Sequence, residues 1–410
     1  MPSDKNPNTL SPPQARTRRR QSSVGNIDLG DNAVPGLQTM QSSEDVRATS
    51  SVYNQQLNNK TDGSNDMAIL GKIWVSIKLL SYRNTWLIPL ILLSIPQALY
   101  WSSNNYTPSN PLHMFVQLSY EIEGTSPSMY GKGWKDLGFL FYMMIFFTFY
   151  REFLMKVILK PIARHFGIKK EGKLNRFMEQ TYSICYYGVS GPLGLYIMKG
   201  MPLWYFNTSQ FYIDYPHLSL EHLFKFYYLS QASFWAQQSV VLMLQLEKPR
   251  KDFHELVFHH IITMLLIALS YTTNYTWMGL AIYITMDISD FFLACSKTLN
   301  YLDSPITGPF FVLFVGVWFY LRHWINLRIL WSIVFEFHKL GPYHLDFSTG
   351  HFKCWISQPI VFFLIFCLQL VNLYWFFLVL RILYRYVFLD VTKDERSDSE
   401  EDENETKKDE

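Results

Sequence analysis

Hydrophobic residues in this chain gather in long runs separated by short polar breaks, and both ends are polar. Residues 1–66 are rich in Ser, Asn, Gln and Arg, and residues 391–410 are almost wholly charged or polar. Between them, eight apolar runs come near or exceed the roughly 17–25 residues that cross a bilayer as a helix. They lie at Trp86–Trp101, Leu137–Ile158, Tyr182–Met198, Leu223–Leu246, Phe258–Thr273, Met278–Cys295, Gly308–Val334 and Ile356–Val387. In hydrocarbon a backbone polar group has no water to bond, so each run is predicted to be a helix. Pro89 and Pro96 are placed to kink the first. The fold class expected is an all-α polytopic membrane protein with about eight transmembrane helices.

The polar breaks set the organisation. A disordered tail is expected over 1–66, a first transmembrane helix over 86–101, a lumenal loop over 102–136, a main helical domain over 137–390, and an acidic tail over 391–410. Residues 67–85 read as an interfacial helix, because Ile69, Leu70, Ile73, Trp74, Ile77 and Leu80 share one helical face with Lys72 and Lys78 elsewhere. A simple lengthening of the first span explains the same residues. Basic residues fix the orientation. Lys156, Lys160, Arg164, Lys169, Lys170, Lys173 and Arg176 fall in one loop, and Lys248, Arg250 and Lys251 in another. Both loops are expected in the cytosol, together with both chain termini, and loops 102–136 and 199–222 in the lumen.

Composition narrows the class further. With 32 Phe, 26 Tyr and 12 Trp the chain is too aromatic for an ordinary soluble domain, and its mean hydropathy of +0.01 averages two polar tails with an apolar middle. Thirty-six basic against 34 acidic residues give no support to a nucleic-acid partner. Cys185, Cys295, Cys354 and Cys367 are not spaced as a zinc or redox pair. Residues 1–52 lack the apolar core of a signal peptide, so the first span is expected to act as the targeting signal.

The tails and loops carry modification candidates. Arg18, Arg19 and Arg20 precede Ser22 and Ser23 as a basic-directed kinase requires, or they form a patch held near anionic lipid. Ser397 and Ser399 each have an acidic residue three positions on, suiting an acid-directed kinase. The sequons at Asn105-Tyr106-Thr107 and Asn207-Thr208-Ser209 fall in expected lumenal loops. Lys407 and Lys408, fourth and third from the end, match a dilysine retrieval signal of endoplasmic-reticulum membrane proteins.

The candidate chemistry sits in the fifth and sixth runs. His259, His260, Asp287 and Asp290 are ionisable groups within apolar segments, where they are costly and usually face an interior cavity. If the two helices form an antiparallel hairpin turning near Tyr275, His260 and Asp290 lie at equal depth, with Asp287 about 5 Å nearer the lumen. Asp287 and Asp290, at i and i+3, share a face, so the aspartates are expected to orient a histidine. Such a set suits acyl transfer to an amine. A histidine takes the amine's proton, or its nitrogen itself accepts the acyl group first. No Gly-x-Ser-x-Gly elbow supplies a serine nucleophile. The histidines do not form the repeated clusters of a di-iron hydroxylase, and no metal ligands are assigned. A non-catalytic lipid-binding or transport protein is the other reading, and it has no use for four buried ionisable groups.

The runs Phe234-Trp235-Ala236-Gln237-Gln238, Glu247 to Asp252, Phe258-His259-His260, Met286 to Phe292 and Ser296 to Tyr301 look like the Lag motif of ceramide synthases, the TLC-domain sphingoid-base N-acyltransferases. The likeness runs from about Ile27 to Ser399, takes in Tyr320-Leu321-Arg322-His323 and Tyr374-Trp375, and is strongest to the fungal longevity-assurance members. It implies condensation of a very-long-chain fatty acyl-CoA with sphinganine or phytosphingosine in the endoplasmic-reticulum membrane. It also implies a catalytic set of His259, His260, Asp287 and Asp290, and a six-helix TLC barrel around the acyl chain between Leu137 and Val387. No cofactor is implied, acyl-CoA being a substrate. The partners implied are a small single-span accessory subunit and a second synthase as homo- or heterodimer. Lys248, Arg250 and Lys251, with Lys297 at the same surface, are candidates for holding the CoA phosphates, although positive-inside charge alone accounts for the first three.

Overall fold

The computed structural model describes residue 80 and residues 84–244 and 253–388. Each of the eight apolar runs is helical where it is described. In chain order the helices are α1 (Leu87–Ser102), α2 (Asp136–His165), α3 (Glu171–Lys199), α4 (His222–Met243), α5 (Phe253–Thr272), α6 (Thr276–Tyr301), α7 (Thr307–Phe335) and α8 (Ser357–Phe388). Helices α2, α5, α6, α7 and α8 are long and apolar enough to cross a membrane, and the chain is a multi-pass membrane protein. Helices α3 and α4 have the length but carry more polar side chains, among them Glu179, Gln180, Gln231, Gln237 and Gln238. All five are buried. Large apolar residues such as Phe141, Val189, Trp324, Phe363 and Phe377 are exposed instead. Polar residues inside and apolar residues outside suit a chain whose solvent is hydrocarbon.

Two helices depart locally from α geometry. Helix α2 has a π-helical turn at Leu154–Leu159, just before Pro161, whose missing N–H cannot close the regular bond. Helix α7 has another at Phe319–Ile325, and this widened turn carries Arg322 and His323.

Helices α3 and α6 run alongside each other through small residues. A Cβ at Gly194 would stand 2.7 Å from Ile284 Cγ1 and 2.7 Å from the Tyr227 hydroxyl, and one at Gly191 would stand 3.1 Å from Ile288 Cγ1. Small residues let membrane helices approach this closely. Gly194→Ala is therefore expected to destabilise the fold by about 1–3 kcal/mol, the usual cost of overpacking. Thermal unfolding in detergent reads the effect as a lowered midpoint, larger than for Gly191→Ala. Equal midpoints for Gly194→Ala and wild type would contradict this packing.

Three short strands, β1 (Glu121–Ile122), β2 (Met129–Tyr130) and β3 (Leu220–Glu221), form an antiparallel sheet in that order, with Glu121 opposite Tyr130 and Tyr130 opposite Leu220. Beside it the buried Lys225 pairs with Asp136 at 2.7 Å and donates to the carbonyls of Ser119 and Gly131. Lys132 donates to Asn274 Oδ1 at 2.8 Å, and Asn274 donates to the Gly350 carbonyl at 2.9 Å. These bonds clamp the turn between α5 and α6 to two loops, which fixes the hairpin that carries the candidate chemistry.

Candidate active site

The α5–α6 hairpin turns where the sequence places it, with Tyr275 capping α6. His259, His260, Asp287 and Asp290 are all buried, at 6, 1, 0 and 1% exposure. The histidine rings stand 5.8 Å apart and nearly perpendicular. Trp235 of α4 packs on both, and Trp375 of α8 packs on His259 at 5.0 Å. His260 Nδ1 lies 3.0 Å from Ser239 Oγ. His259 Nδ1, His260 Nε2 and Asp287 Oδ1 are buried with no hydrogen-bond partner among the described residues.

The aspartates diverge. Asp290 pairs with Arg322 of α7 at 2.5 Å. Arg322 also donates to Ser289 Oγ at 2.6 Å and to Asn372 Oδ1 at 3.2 Å, and lies 4.1 Å over the Trp318 ring. Asp287 accepts from Gln231 Nε2, while Gln231 accepts from the Tyr186 hydroxyl at 2.6 Å and donates to the Tyr227 hydroxyl at 3.0 Å. Among the described residues neither histidine bonds either aspartate, so the expected direct orientation of a histidine by a carboxylate is corrected. For Asp290 the reason is electrostatic. A buried carboxylate is stabilised most by a full opposite charge, and the guanidinium on α7 supplies one with several donors.

A narrow cavity of about 40 Å³ adjoins this cluster. His259 and Arg322 line it at one end and Ser270 and Gly279 at the other. The step from His259 to Ser270 along α5 corresponds to about 16 Å of helix.

Arg322, Gln231 and Ser239 join the site without having been assigned a role from sequence. An arginine inside the apolar run Gly308–Val334 is itself a signal, because charge there is costly. Gln231 and Ser239, one polar residue each in a mixed helix, give a weaker one. Lys297 is buried on α6, two turns beyond Asp290, and does not stand at the surface. Lys248, Arg250 and Lys251 lie outside the described residues, as do Ser22, Ser23, Ser397, Ser399, Lys407, Lys408 and the interfacial segment before Leu80. Of the sequons, Asn105 is exposed in a turn where Thr107 donates to its Oδ1 at 2.6 Å. Asn207 is half-buried, and the neighbouring Thr208 is buried and donates to Glu336 at 3.1 Å. Among the described residues no group of three or more His, Cys, Asp or Glu side chains is placed to hold a metal ion.

The TLC-domain family model matches residues 176–381, a span that contains every residue of the cluster. The chain is 54% identical over 389 residues to "Ceramide synthase LAG1" of Saccharomyces cerevisiae, covering 95% of this chain and 93% of that protein. The chain belongs to the fungal longevity-assurance ceramide synthases of the TLC-domain family. Membership extends to more distant relatives. "Sphingosine N-acyltransferase lac1" of Schizosaccharomyces pombe is 47% identical over 336 residues, covering 82% of this chain and 86% of that protein. Ceramide synthase 4 of Bos taurus is 30% identical over 232 residues, 55% of each. This likeness reaches far beyond the four ionisable residues that mark a ceramide synthase in the sequence.

Proposed function

We propose that the chain is an acyl-CoA-dependent ceramide synthase, a sphingosine N-acyltransferase. It transfers a fatty acyl group to the amine of sphinganine or phytosphingosine, giving dihydroceramide or phytoceramide and free CoA. The names of its relatives support the reaction. The observation that carries the site is the pair of buried histidines, each with an unpartnered ring nitrogen, of which His259 lines the cavity.

In this reading the acyl chain lies in the cavity with its thioester at His259. Arg322 lines the cavity there, so its charge faces the carbonyl oxygen as that oxygen becomes negative in the transition state. A histidine acts as base toward the amine or carries the acyl group in between. Asp287, whose buried Oδ1 has no hydrogen-bond partner among the described residues, is the acceptor for the incoming ammonium. Acyl-CoA is a substrate, and the chemistry asks for no cofactor.

The wider arrangement follows the same proposal. All eight helices span the endoplasmic-reticulum membrane, six of the helices between Leu137 and Val387 form the TLC barrel, and both termini face the cytosol. Lys248, Arg250 and Lys251 meet the CoA phosphates at the cytosolic mouth, with Lys297 further in. The acyl donors are very long. A single-span accessory subunit and a second synthase are the proposed partners. Ser22, Ser23, Ser397 and Ser399 are phosphorylated, Lys407 and Lys408 retrieve the protein, and Asn105 is the better placed of the two glycosylation candidates.

The test is amide formation. The chain is expressed with its accessory subunit in cells lacking their own ceramide synthases, and membranes receive sphinganine and acyl-CoAs of graded length. Wild type is expected to make ceramide. His259→Ala and His260→Ala are expected to lose about 10²-fold or more, the scale of positioned acid–base groups, while inserting normally. A wild-type chain that makes none, or histidine variants that match it, would point to a lipid-binding role.

A further inference from the structure

Among the described residues His260 makes one polar contact, with Ser239, and the hydrogens around that contact can be counted. Ser239 sits within α4 and its hydroxyl donates to the Trp235 carbonyl one turn back, at 2.7 Å. A serine hydroxyl has one hydrogen and two lone pairs. With that hydrogen spent on Trp235, Ser239 Oγ meets His260 Nδ1 at 3.0 Å only as an acceptor. In that arrangement the ring nitrogen in the contact carries the proton. A neutral imidazole with hydrogen on Nδ1 has a bare lone pair on Nε2. His260 Nε2 is buried and has no partner among the described residues.

We propose that Ser239 is a positioning residue for acyl transfer: it holds His260 as the Nδ1–H tautomer and keeps Nε2 free to take a proton. The inference rests on the ceramide synthase reading. It adds a division of labour between the two histidines. His259 lines the cavity with Arg322, beside the acyl group, whereas His260 points its Nδ1 into α4. When Nε2 takes the amine's proton, the imidazolium keeps its Nδ1–H bond to Ser239, so the ring does not have to reorient during the step.

Two measurements test this. With 15N-labelled histidine in the full-length protein in detergent, the His260 signals are assigned by their loss in His260→Gln. The neutral ring is expected to show its proton on Nδ1, and a proton on Nε2 overturns the proposal whatever the activities are. Ser239→Ala is expected to lower kcat about 10- to 100-fold, part of what a positioned base contributes. KM for both substrates should stay within about 3-fold, because the interaction lost matters to the chemical step. Ser239→Thr keeps a hydroxyl able to bond the carbonyl one turn back, and is expected to restore most of kcat and the Nδ1–H signature. Ser239→Ala with wild-type kcat, in a chain that makes ceramide, overturns the positioning role alone. A wild-type chain that makes no ceramide overturns the functional reading and this role with it. If Ser239→Ala does not accumulate, the wild-type spectrum and the Ser239→Thr rate still decide.

Discussion

Arg322→Ala is expected to remove most of the folded protein and to lower ceramide synthesis in the remainder by about 10²-fold or more. The variant leaves Asp290 as a buried carboxylate with no cation, and breaking a buried pair from one side costs about 3–5 kcal/mol. It also strips donors from Ser289 and Asn372, which the guanidinium serves at 2.6 and 3.2 Å. Arg322→Lys keeps the charge, but a single ammonium cannot replace a planar fork bonded to three side chains at once, so its activity is expected to fall as well. Folding and chemistry separate in the double variant Arg322→Met with Asp290→Leu. Replacing both partners of a buried pair by apolar residues is often neutral for stability. The double variant should therefore recover much of the yield in detergent size-exclusion profiles and none of the acyl transfer. If it recovers both, the pair is structural only. If Arg322→Ala alone gives wild-type yield, the 2.5 Å pair does not hold the bundle together.

The outcome at Arg322 also shows where a sequence stops being legible. Run length and hydrophobicity place all eight helices, because hydrocarbon forces every apolar run into the same backbone structure. The hairpin turn near Tyr275 follows from the polar break between two such runs. The start of α3 does not. The apolar run begins at Tyr182, whereas the helix begins at Glu171, because Glu179 and Gln180 turn inward and lower the apparent hydrophobicity. The burial of Lys297 was within reach, since seven residues is two turns and returns to the face of Asp290. The partners of the aspartates were not. Equal depth within one hairpin relates α5 to α6, but the side chains that satisfy Asp287 and Asp290 come from α4 and α7. Which third and fourth helices lie against a hairpin, and in what rotation, depends on packing such as the approach of α3 to α6 at Gly194. Hydropathy carries no trace of that packing.

Packing also fixes the far end of the cavity, and there the expected effect is on product rather than rate. The hydroxyls of Tyr228 and Ser270 hydrogen-bond to each other beside Gly279, where a Cβ would stand 2.5 Å from the Tyr228 oxygen and 3.0 Å from the Ser270 oxygen. An extended chain advances about 1.2 Å per bond, so the roughly 16 Å from His259 to Ser270 matches the length of about 13 bonds of an acyl chain, for which the cavity of about 40 Å³ has to widen. A longer chain has to displace the Tyr228 and Ser270 pair. Tyr228→Ala removes the ring and its hydrogen bond together and is expected to shift products to longer acyl chains by several methylenes. Gly279→Ala places a methyl group at the cavity wall and is expected to shift them to shorter ones. Each buried methylene is worth about 0.8 kcal/mol, or roughly fourfold in selectivity, so a change of two or three methylenes dominates the product profile. Competition among acyl-CoAs of graded length, read by mass spectrometry of the ceramides, measures the shift. Opposite shifts in the two variants place the acyl terminus at Tyr228 and Ser270. Active variants with an unchanged profile would mean that the chain leaves the cavity before this point, between helices and into the lipid.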